Sequence, residues 1–307
     1  MKELWVEKYR PRTVGDYVFT DERVREQVQH WVDEKYIPHV LLSGSPGTGK
    51  TTLAKVLINE VDVDDFDVLY INASRDNNVE FVRNQIEGFV STMPYGRFKI
   101  VFLDEADYLS LSAQAVLRGL IEGYQENARF ILTCNYPHKI MPALHSRCEQ
   151  GKIHIDKPDV TDFTARVATV LVTENVEFDL DVLDSYVKAS YPDLRSCLNM
   201  VQKNSTSGKL LSPSANDSSV KDWKLDAVEL FKKGKVREAR ALICNQATLD
   251  EIDEVFRWCY DNLSIWGDTP EKQDEAILII RKGLVNHSQC ADAEINLSAM
   301  LTELTKI

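Results

Sequence analysis

Residues 44–51 read GSPGTGKT, a full match to G-x-x-x-x-G-K-[ST], and are here named the phosphate loop. In such loops the glycines let backbone N–H groups curl around phosphates, and the helix that follows adds a favourable dipole. Lys50 is predicted to bridge the β- and γ-phosphates, and Thr51 to place its hydroxyl on Mg²⁺. A chance glycine-rich turn is the weaker interpretation, because an apolar run precedes the motif and a helical pattern follows it. The predicted nucleotide contacts of the loop are Ser45, Pro46, Gly47, Thr48, Gly49, Lys50, Thr51 and Thr52.

Polar side chains end two further apolar runs, IVFLDEAD at 100–107 and ILTCN at 131–135. Asp104 can hold the Mg²⁺ shell, directly or through water, and Glu105 can orient and polarise an attacking water. Asn135 is predicted to contact the γ-phosphate, because polar residues at the carboxyl edge of a doubly wound sheet face the ligand. The alternatives are that Asp104 and Glu105 are solvated carboxylates and that Asn135 only forms a turn. A complete phosphate loop in the same sequence makes both alternatives weaker. The letters DEAD also occur in RNA helicases and discriminate poorly.

The scaffold predicted for these residues is a parallel sheet covered by helices on both faces. Near-continuous apolar, β-rich runs separated by helical patterns indicate such a sheet, because its strands are buried on both sides. The runs lie at 39–44, 68–74, 99–104 and 129–134, with a fifth strand at 152–155.

After Pro158 the β character disappears and helical patterns follow. Residues 160–204 predict a small three-helix unit, whose third helix begins at Pro192 as a helix-permissive first residue. A stretch rich in Ser, Gly, Asn and Pro, residues 205–219, is typical of a linker. Helical patterns on either side of Gly234 predict a helical hairpin.

The rest of the C-terminal sequence is also helical. Thr269 and Pro270 are predicted as the N-cap and first residue of a long helix. The predicted segments are a nucleotide-binding α/β domain at 1–157, a helical lid domain at 158–206, a linker at 207–219 and a helical domain at 220–307.

The composition is that of a globular protein, with 44% hydrophobic and 27% charged residues among 307. No run approaches the roughly 18 apolar residues of a membrane helix. The N-terminus lacks the apolar core of a signal peptide, so we expect the protein to stay inside the cell. The six cysteines form no CxxC pair, which argues against a zinc module and, in a reducing compartment, against disulfides. The net charge of −12 counts against nucleic-acid binding only as an average, because phosphate contacts need one locally basic surface.

The order of phosphate loop, acidic pair, strand-end asparagine and SRC (146–148) resembles that of the AAA+ ATPases. Longer segments resemble clamp-loader ATPase subunits, both the replication factor C small subunits and the large subunit of the tailed-phage loader. These segments are VEKYRPRTVGDYV (6–18), PHVLLSGSPGTGKTT (38–52), INASRDNNVEFVRNQIEGF (71–89), LDEADYLSLSAQAVLRGLIEGY (103–124) and CNYPHKIMPALHSRC (134–148). The resemblance covers about residues 1–200 and is reduced to helical character and length over 205–307. Pro-Asp in YPDLR (191–195), where cellular loaders usually have Gly-Asp, favours the phage type, and Phe19 stands where cellular subunits usually have Gly.

This resemblance implies an α/β AAA+ P-loop domain with a parallel sheet, a small helical lid domain and an all-helical C-terminal collar domain. It implies a DNA-dependent ATPase with ATP and Mg²⁺ as cofactors. ATP binding is expected to open and hold a sliding clamp, and primer–template DNA to trigger hydrolysis and release of the clamp onto DNA. The implied partners are the sliding clamp, DNA contacted through its backbone without sequence preference, copies of this chain and a distinct non-ATPase subunit, with no membrane. The implied location is the cytoplasm, that of the host if a phage encodes the chain.

Two arginines are implied to act at the phosphates. Arg147, in LHSRCEQG (144–151), is expected to reach the nucleotide of the neighbouring subunit, which predicts an oligomer; the alternative is a surface ion pair. Arg195 of the lid is expected to contact the phosphates of its own subunit; the alternative is an exposed helix residue. The base is expected to lie against Arg10 and Pro11, with the apolar neighbours Val6, Val18 and Ile37.

The helix after INAS is implied to face DNA, and its expected phosphate contacts are Arg75, Asn78, Val79 and Arg83. A helix N-terminus can hold a phosphate without net positive charge, which reconciles an acidic chain with DNA binding. Arg118 is a further expected DNA-binding residue and, with Gln114, is expected to link the DNA-facing helices to Glu105. Residues 108–116 are expected to approach the clamp. The alternative for the helix is an amphipathic surface with solvated arginines. The apolar residues of the collar either join subunits or form internal core, and they are Leu225, Val228, Phe231, Ile277, Ile280 and Leu284.

Three other functions compete with this interpretation. Another AAA+ machine that translocates along DNA or protein would carry an aromatic pore loop, and no convincing one occurs in the sequence. A scaffold that binds ATP without hydrolysing it would carry damage at Lys50, Glu105 or Arg147, and all three are present. An RNA helicase would need second-domain motifs, which residues 160–307 lack.

Overall fold

The computed structural model describes residues 3–75, 77–205, 208–212, 223–232, 235–246, 252–267, 269–287, 289–290 and 292–306. The chain forms two compact units. Tyr9–Asp159 is here named the α/β unit, and Met1–Lys8 together with Val160–Ile307 is the helical unit. In the part of the chain that the structure describes, no helix combines the length and hydropathy needed to cross a bilayer.

Five strands form the sheet of the α/β unit: β1 Val40–Gly44, β2 Val68–Asn72, β3 Lys99–Asp104, β4 Ala128–Cys134 and β5 Gly151–Ile155. All pairs are parallel, in the order β2-β3-β4-β1-β5. Each strand coincides, within two residues at either end, with one of the five apolar runs of the sequence. The predicted parallel sheet with helical domains after it is therefore confirmed. The carboxyl ends of β1, β3 and β4 meet at one edge, where such sheets bind ligands.

The helices follow in chain order: α1 Trp5–Lys8, α2 Glu22–Asp33, α3 Lys50–Glu60, α4 Val79–Val90, α5 Leu111–Gly123, α6 Pro142–Arg147, α7 Val160–Thr173, α8 Leu180–Ser190, α9 Leu194–Lys203, α10 Trp223–Lys232, α11 Val236–Gln246, α12 Ile252–Asp261, α13 Pro270–His287 and α14 Ala293–Leu304. Helices α2–α6 belong to the α/β unit. Helix α1 and helices α7–α14 belong to the helical unit.

Both faces of the sheet are buried. Along β3, Ile100 and Phe102 point into a core formed with α2 and α3, whereas Val101 and Leu103 point into a core formed with α4 and α5. Burial on both faces explains why the strands are nearly continuous apolar runs instead of alternating ones. The faces are thus filled by packing, and the open place for chemistry is the carboxyl edge of the strands.

The N-terminal residues pack in the helical unit, which differs from their predicted place in the α/β domain. Trp5 N donates to Gln202 Oε1 at 2.9 Å, and Gln202 Nε2 donates to Glu3 O at 2.9 Å. Lys8 forms an ion pair with Glu174 at 2.6 Å. These contacts tie α1 to α9 and to the end of α7. The other predicted domain boundaries stay a proposal.

Helix α9 begins at Leu194, two residues later than its predicted start at Pro192. Asp193 is the N-cap, and its Oδ1 accepts the N–H groups of Arg195 at 3.0 Å and Ser196 at 3.2 Å. A carboxylate at the N-cap satisfies donors that the first turn leaves without a helical partner. The predicted start was wrong because the capping preference of aspartate outweighs the tolerance of proline at a first helical position.

Part of the predicted linker is packed structure. Lys209 pairs with Glu177 as a short parallel bridge, and Leu210 is buried. Residues 208–212 therefore belong to the helical unit, and the linker prediction was wrong for them. The rest of the predicted linker lies outside the described residues.

The C-terminal helices follow the predicted pattern. Helix α13 begins at Pro270, and the hydroxyl of Thr269 accepts the N–H of Lys272 at 3.4 Å. Helices α10 and α11 pack against each other, as predicted for a hairpin, and Gly234 between them lies outside the described residues.

Three of the six apolar residues named for the collar are internal core. Leu225, Val228 and Ile280 are buried within the helical unit itself. Phe231 and Ile277 are half-buried. Leu284 is exposed. The first three therefore stabilise the unit and are not available to a neighbouring subunit.

Candidate nucleotide-binding site

The phosphate loop connects β1 to α3 at the carboxyl edge of the sheet. Gly49 has φ +92°, a left-handed conformation that L side chains rarely adopt. A Cβ atom there would also lie 3.1 Å from the hydroxyl oxygen of Tyr17. At Gly44, a Cβ atom would lie 2.4 Å from the carbonyl oxygen of Ile155. Glycine is therefore required at both positions, by conformation at the first and by close packing of β1 against β5 at the second.

Lys50 is the first residue of α3 and is buried at 7% exposure. Its ammonium donates to Gly44 O at 3.0 Å and to Ser45 O at 2.6 Å, so it lies under the loop that precedes it. Burial lowers the pKa of Lys50 below the ordinary lysine value, and acidic neighbours such as Asp107 oppose that shift. The cation is thus held by carbonyl dipoles at the place where anionic phosphates are predicted to bind.

Thr51 and Asp104 lie in direct contact. The Thr51 hydroxyl donates to Asp104 Oδ1 at 2.9 Å, which joins the start of α3 to the end of β3. In the described ranges, no three His, Cys, Asp or Glu side chains gather as a metal site. One hydroxyl and one carboxylate are the hard oxygen ligands with which Mg²⁺ is usually held when phosphates complete its shell. The residues present therefore fit Mg²⁺ brought with a nucleotide.

Glu105 directly follows β3 and has φ +58°. A non-glycine residue in this left-handed region costs roughly 1–2 kcal/mol, so neighbouring contacts must hold it there. Its N–H donates to the hydroxyl of Thr133 at 3.0 Å, and its carbonyl accepts the N–H of Tyr108 at 3.0 Å. The same Thr133 hydroxyl donates to Asp104 Oδ1 at 2.5 Å. Both predicted acidic residues are therefore tied to β4.

Asn135 is half-buried and directly follows β4. Its N–H donates to Asp107 Oδ2 at 3.3 Å, and the N–H of Tyr136 donates to the same oxygen at 3.1 Å. Asp107 is buried, and its Oδ1 has no hydrogen-bond partner among the described residues. The strand-end asparagine is thus brought beside the acidic pair through Asp107, the last letter of DEAD.

The side of the site predicted for the base contains an aromatic pair. Tyr17 donates a long hydrogen bond to Thr48 O at 3.4 Å, and its ring meets Phe19 edge-on with centroids 4.7 Å apart. Burial raises the pKa of Tyr17, so its hydroxyl stays protonated. Val18 between them is 48% exposed. Tyr17 is therefore the residue of this segment that packs on the phosphate loop.

The other residues predicted for the base side are divided between the units. Arg10 and Pro11 are half-buried in the α/β unit, and Ile37 is fully buried in its core. Val6 lies on α1, and Arg195 is exposed on α9, so both belong to the helical unit.

Arg147 ends α6 and has partners within its own chain. Its Nη1 donates to Ala143 O at 2.6 Å, and its Nη2 forms an ion pair with Glu122 of α5. The Arg147 side chain is 25% exposed and that of Glu122 is 51% exposed. The Nε atom is buried and has no hydrogen-bond partner among the described residues. The guanidinium is therefore partly exposed, and both of its terminal nitrogens have partners in the chain itself.

The residues predicted to contact DNA lie on and before α4 and on α5. Arg75, Arg83 and Arg118 are exposed. Asn78 is the N-cap of α4, where it accepts the N–H of Glu80 at 3.0 Å, and Val79 packs against the core. Three guanidinium groups thus remain on the surface, while Asn78 and Val79 also have structural roles.

Gln114 is buried inside the α/β unit at 1% exposure. Its amide donates to Leu109 O at 3.1 Å and to Lys139 O at 3.0 Å, and its Oε1 accepts the N–H of Met141 at 2.8 Å. One side chain thereby connects α5 to the segment after Glu105 and to the segment that leads into α6. Within the range predicted to approach a clamp, residues 108–116, Tyr108 and Leu111 are exposed.

Sequence reasoning missed several residues of this site. Thr133 carries a readable signal, because it is a hydroxyl within the apolar run Phe130–Cys134, two residues before Asn135. Asp107 is visible in the DEAD letters, but the sequence pattern alone assigns it no role. Neither Tyr17 nor Glu122 carries a local signal, because their contacts join parts of the chain that are distant in sequence.

Comparison with known proteins identifies related sequences. The profile "ATPase family associated with various cellular activities (AAA)" matches residues 40–156. The replication factor C small subunit of Methanocella arvoryzae is 31% identical over 84% of this chain and 84% of its own length. That of Archaeoglobus fulgidus is 36% identical over 78% of this chain and 77% of its own length. That of Sulfurisphaera tokodaii is 38% identical over 67% of this chain, and the match spans 64% of its own length, just under two thirds. None of these three is a phage protein, so the phage type stays a prediction.

Solved structures share the fold. A RuvB variant from Thermotoga maritima has a TM-score of 0.59 at 16% identity, covering 82% of this chain and 90% of its own. The Thermotoga maritima RuvB Holliday junction branch migration motor has a TM-score of 0.57 at 16% identity, covering 79% and 87%. At such low identity the likeness concerns the fold alone.

Proposed function

Because the chain belongs to the replication factor C small-subunit family of AAA+ ATPases, we propose that it is an ATPase subunit of a clamp loader that acts in DNA replication. The observation that carries the proposal is the grouping of these residues at one edge of the sheet: Lys50 bonds two carbonyls of the phosphate loop, and Thr51 bonds Asp104. Glu105 is linked to Asp104 through the Thr133 hydroxyl. A scaffold subunit without hydrolysis would not require this arrangement of acidic residues. ATP binding opens and holds a sliding clamp, and primer–template DNA triggers hydrolysis and release of the clamp.

The chemistry within one subunit is assigned to residues at the carboxyl edge of the sheet. Lys50 supplies positive charge to the β- and γ-phosphates, and the Thr51 hydroxyl with Asp104, directly or through water, holds Mg²⁺. When bound, Mg²⁺ neutralises phosphate charge. Glu105 orients the attacking water and accepts its proton, and Asn135 contacts the γ-phosphate. Arg195 contributes from the lid.

Arg147 is assigned to the nucleotide of the neighbouring subunit. The guanidinium would stabilise charge that develops on the γ-phosphate, and such arginines contribute about 10³–10⁵ in rate in other phosphate-transfer enzymes. Its ion pair with Glu122 is half-exposed, and exposed pairs are worth only about 0.2–1 kcal/mol. A phosphate can therefore compete with Glu122 for Arg147. A site completed by the next subunit makes hydrolysis depend on assembly.

The DNA contacts are assigned to Arg75 and Arg83, with the N-terminus of α4 adding its dipole. These groups would follow the phosphate backbone without reading bases. Arg118 lies on α5, one turn after Gln114, whose hydrogen bonds reach the segment behind Glu105. We therefore propose that contact of DNA with α5 affects the positions of Asp104 and Glu105 through the hydrogen bonds of Gln114.

The test is ATP hydrolysis by the assembled loader in three conditions: alone, with primer–template DNA, and with DNA plus the sliding clamp. We expect low turnover that rises sharply only with DNA and clamp, and Arg147→Ala should abolish the rise. Arg23→Ala serves as the matched control, because Arg23 is an exposed arginine on α2. Equal turnover in all three conditions would point to a different AAA+ machine.

A further inference from the structure

We propose that Thr133 is a positioning residue for ATP hydrolysis, whose single hydroxyl fixes both Asp104 and Glu105. This inference rests on the proposed function and deepens it. Thr133 lies on β4, one residue beyond the Leu103–Leu132 pair that joins β3 to β4. It is buried at 1% exposure, so its hydroxyl must be satisfied by protein groups. The two groups that satisfy it belong to the two acidic residues of the site.

The donor and acceptor directions of this hydroxyl are determined by its partners. The N–H of Glu105 can only donate, so the Thr133 oxygen accepts at 3.0 Å. The Thr133 proton is then free to point at Asp104 Oδ1, 2.5 Å away. A side chain with only a donor or only an acceptor could not make both contacts. Threonine and serine can, whereas valine, of nearly the same shape, can make neither.

Asp104 Oδ1 accepts a second hydrogen bond, from the Thr51 hydroxyl at 2.9 Å. Two converging donors fix the rotation of the carboxylate, one from the phosphate-loop helix and one from β4. Because the Thr51 proton is used on Asp104, the lone pairs of its oxygen are available to a cation. The Thr133 hydroxyl therefore belongs to a chain of three hydrogen bonds that runs from the Glu105 backbone to Thr51.

The backbone of the acidic pair is held from three directions. The Asp104 carbonyl accepts the N–H of Ala73 at 2.9 Å, and the Glu105 carbonyl accepts the N–H of Tyr108 at 3.0 Å. Thr133 supplies the only one of these three contacts that is made by a side chain. It also bonds the residue whose φ is +58°, where relaxation to an ordinary conformation would move the carboxylate of Glu105. Because the other two contacts are made by backbone groups, only the contact from Thr133 can be removed by changing a side chain.

The consequence concerns hydrolysis more than nucleotide binding. The phosphate loop and Lys50 make no hydrogen bond to Thr133 among the described residues, so affinity for the nucleotide should survive loss of the hydroxyl. The orientation of Glu105 toward water should not survive it, and small misplacements of reacting groups lower rates by up to about 100-fold.

The experiment compares Thr133→Val and Thr133→Ser in the complete chain, assembled with its loader partners, DNA and clamp. We expect Thr133→Val to lower kcat by about 10- to 100-fold, with nucleotide affinity changed less than about threefold. Thr133→Ser keeps the hydroxyl and should stay within about threefold of wild type in both quantities. Ser43→Ala is the matched control, because Ser43 is a buried hydroxyl of β1 that bonds Ile153 and His154 on the other side of the sheet.

A second readout does not depend on activity. Hydrogen exchange of the Glu105 amide should be at least about tenfold faster in Thr133→Val than in wild type or Thr133→Ser, because its acceptor is gone. If Thr133→Val does not fold, Thr133→Ala is compared with Thr133→Ser in the same two measurements.

The outcomes separate this inference from the proposed function. Wild-type protein that hydrolyses ATP, with Thr133→Val equal to it in kcat and amide exchange, overturns the role of Thr133 alone. Equal loss of affinity and kcat also overturns it, because that result indicates general damage to the site. Wild-type protein without stimulated hydrolysis overturns the proposed function, and the exchange rates then decide whether Thr133 holds Glu105.

Discussion

Single hydroxyl and amide groups connect residues of the α/β unit that carry no common sequence motif. Thr51 and Thr133 converge on one oxygen of Asp104, and Asp107 accepts two N–H groups from the end of β4. The Thr51 bond joins the start of α3 to the end of β3, and the other bonds join the end of β3, or the segment after it, to β4 or the residues that follow it. The chemistry of the acidic pair therefore depends on uncharged residues as well as on its own carboxylates.

His39 should make the free energy of unfolding depend on pH. Its Nδ1 accepts the N–H of Phe130 at 3.2 Å, which requires an unprotonated Nδ1. Burial, and then the charge of Arg129, lowers the pKa of His39 from 6.5 to about 4. The unfolded chain binds this proton more readily, so the stabilising effect is complete above pH 6.5 and is lost as pH falls toward 4. His39→Gln should therefore lose less unfolding free energy than wild type between these values.

Urea unfolding at a series of pH values measures this difference. Carboxylates elsewhere affect both proteins alike, so the wild-type curve minus the His39→Gln curve isolates the histidine. Parallel curves between pH 7 and 4 would show that His39 is not held neutral by the fold.

Short helices of this chain are positioned by their ends. Helix α6 has only six residues, and Gln114 bonds the N–H of Met141, its N-cap residue. Helix α9 is aligned by the carboxylate of Asp193, which bonds two N–H groups. In both cases a polar side chain satisfies backbone N–H groups at the start of the helix, which the helix itself leaves without partners.

The N-cap residue Asp193 should contribute measurably to the stability of the helical unit. Asp193→Ala removes both cap bonds and should lower the free energy of unfolding by about 0.5–2 kcal/mol. Asp193→Asn keeps the capping oxygen and should stay close to wild type, so it is the matched control. Chemical denaturation followed by circular dichroism measures both variants. Equal losses in the two variants would mean that the charge of Asp193, and not its cap bonds, supports α9.

For the whole molecule, the proposed function requires more than one copy of the site. Arg147 is held by Ala143 and Glu122 in its own chain, although its proposed target is a nucleotide of the next subunit. The same guanidinium cannot satisfy a carboxylate and a phosphate fully. Assembly is therefore expected to redistribute the hydrogen bonds of Arg147.

Glu122→Gln tests this competition in the assembled loader. Removing the charge weakens the ion pair that holds Arg147, so the rate stimulated by DNA and clamp should rise by about 1.4- to 5-fold, the factor that corresponds to an exposed pair of about 0.2–1 kcal/mol. Glu126→Gln, an exposed glutamate just after α5, is the control and should have no effect. A large fall in the stimulated rate would instead mean that Glu122 orients Arg147 for its target.

The amino-acid sequence by itself determined the strands and the phosphate loop. Parallel strands buried on both faces must be nearly continuous apolar runs, and phosphate binding by backbone N–H groups requires glycines at set spacings. The three-helix unit after Pro158 was also predictable, except that the capping aspartate, and not the proline, starts α9. Such features are local, because each depends on residues within a few positions of one another.

Only the tertiary structure decided which polar groups support the site. Thr133 and Asp104 are 29 residues apart in sequence, and Tyr17 and Thr48 are 31 apart. Residues 208–212 have the composition of a linker, yet they pack: Leu210 is buried, and the backbone of Leu211 bonds Asn204 after α9 and Tyr186 of α8. Hydrogen bonds and burial between distant segments depend on how the elements are stacked. No local pattern of residue types contains that information.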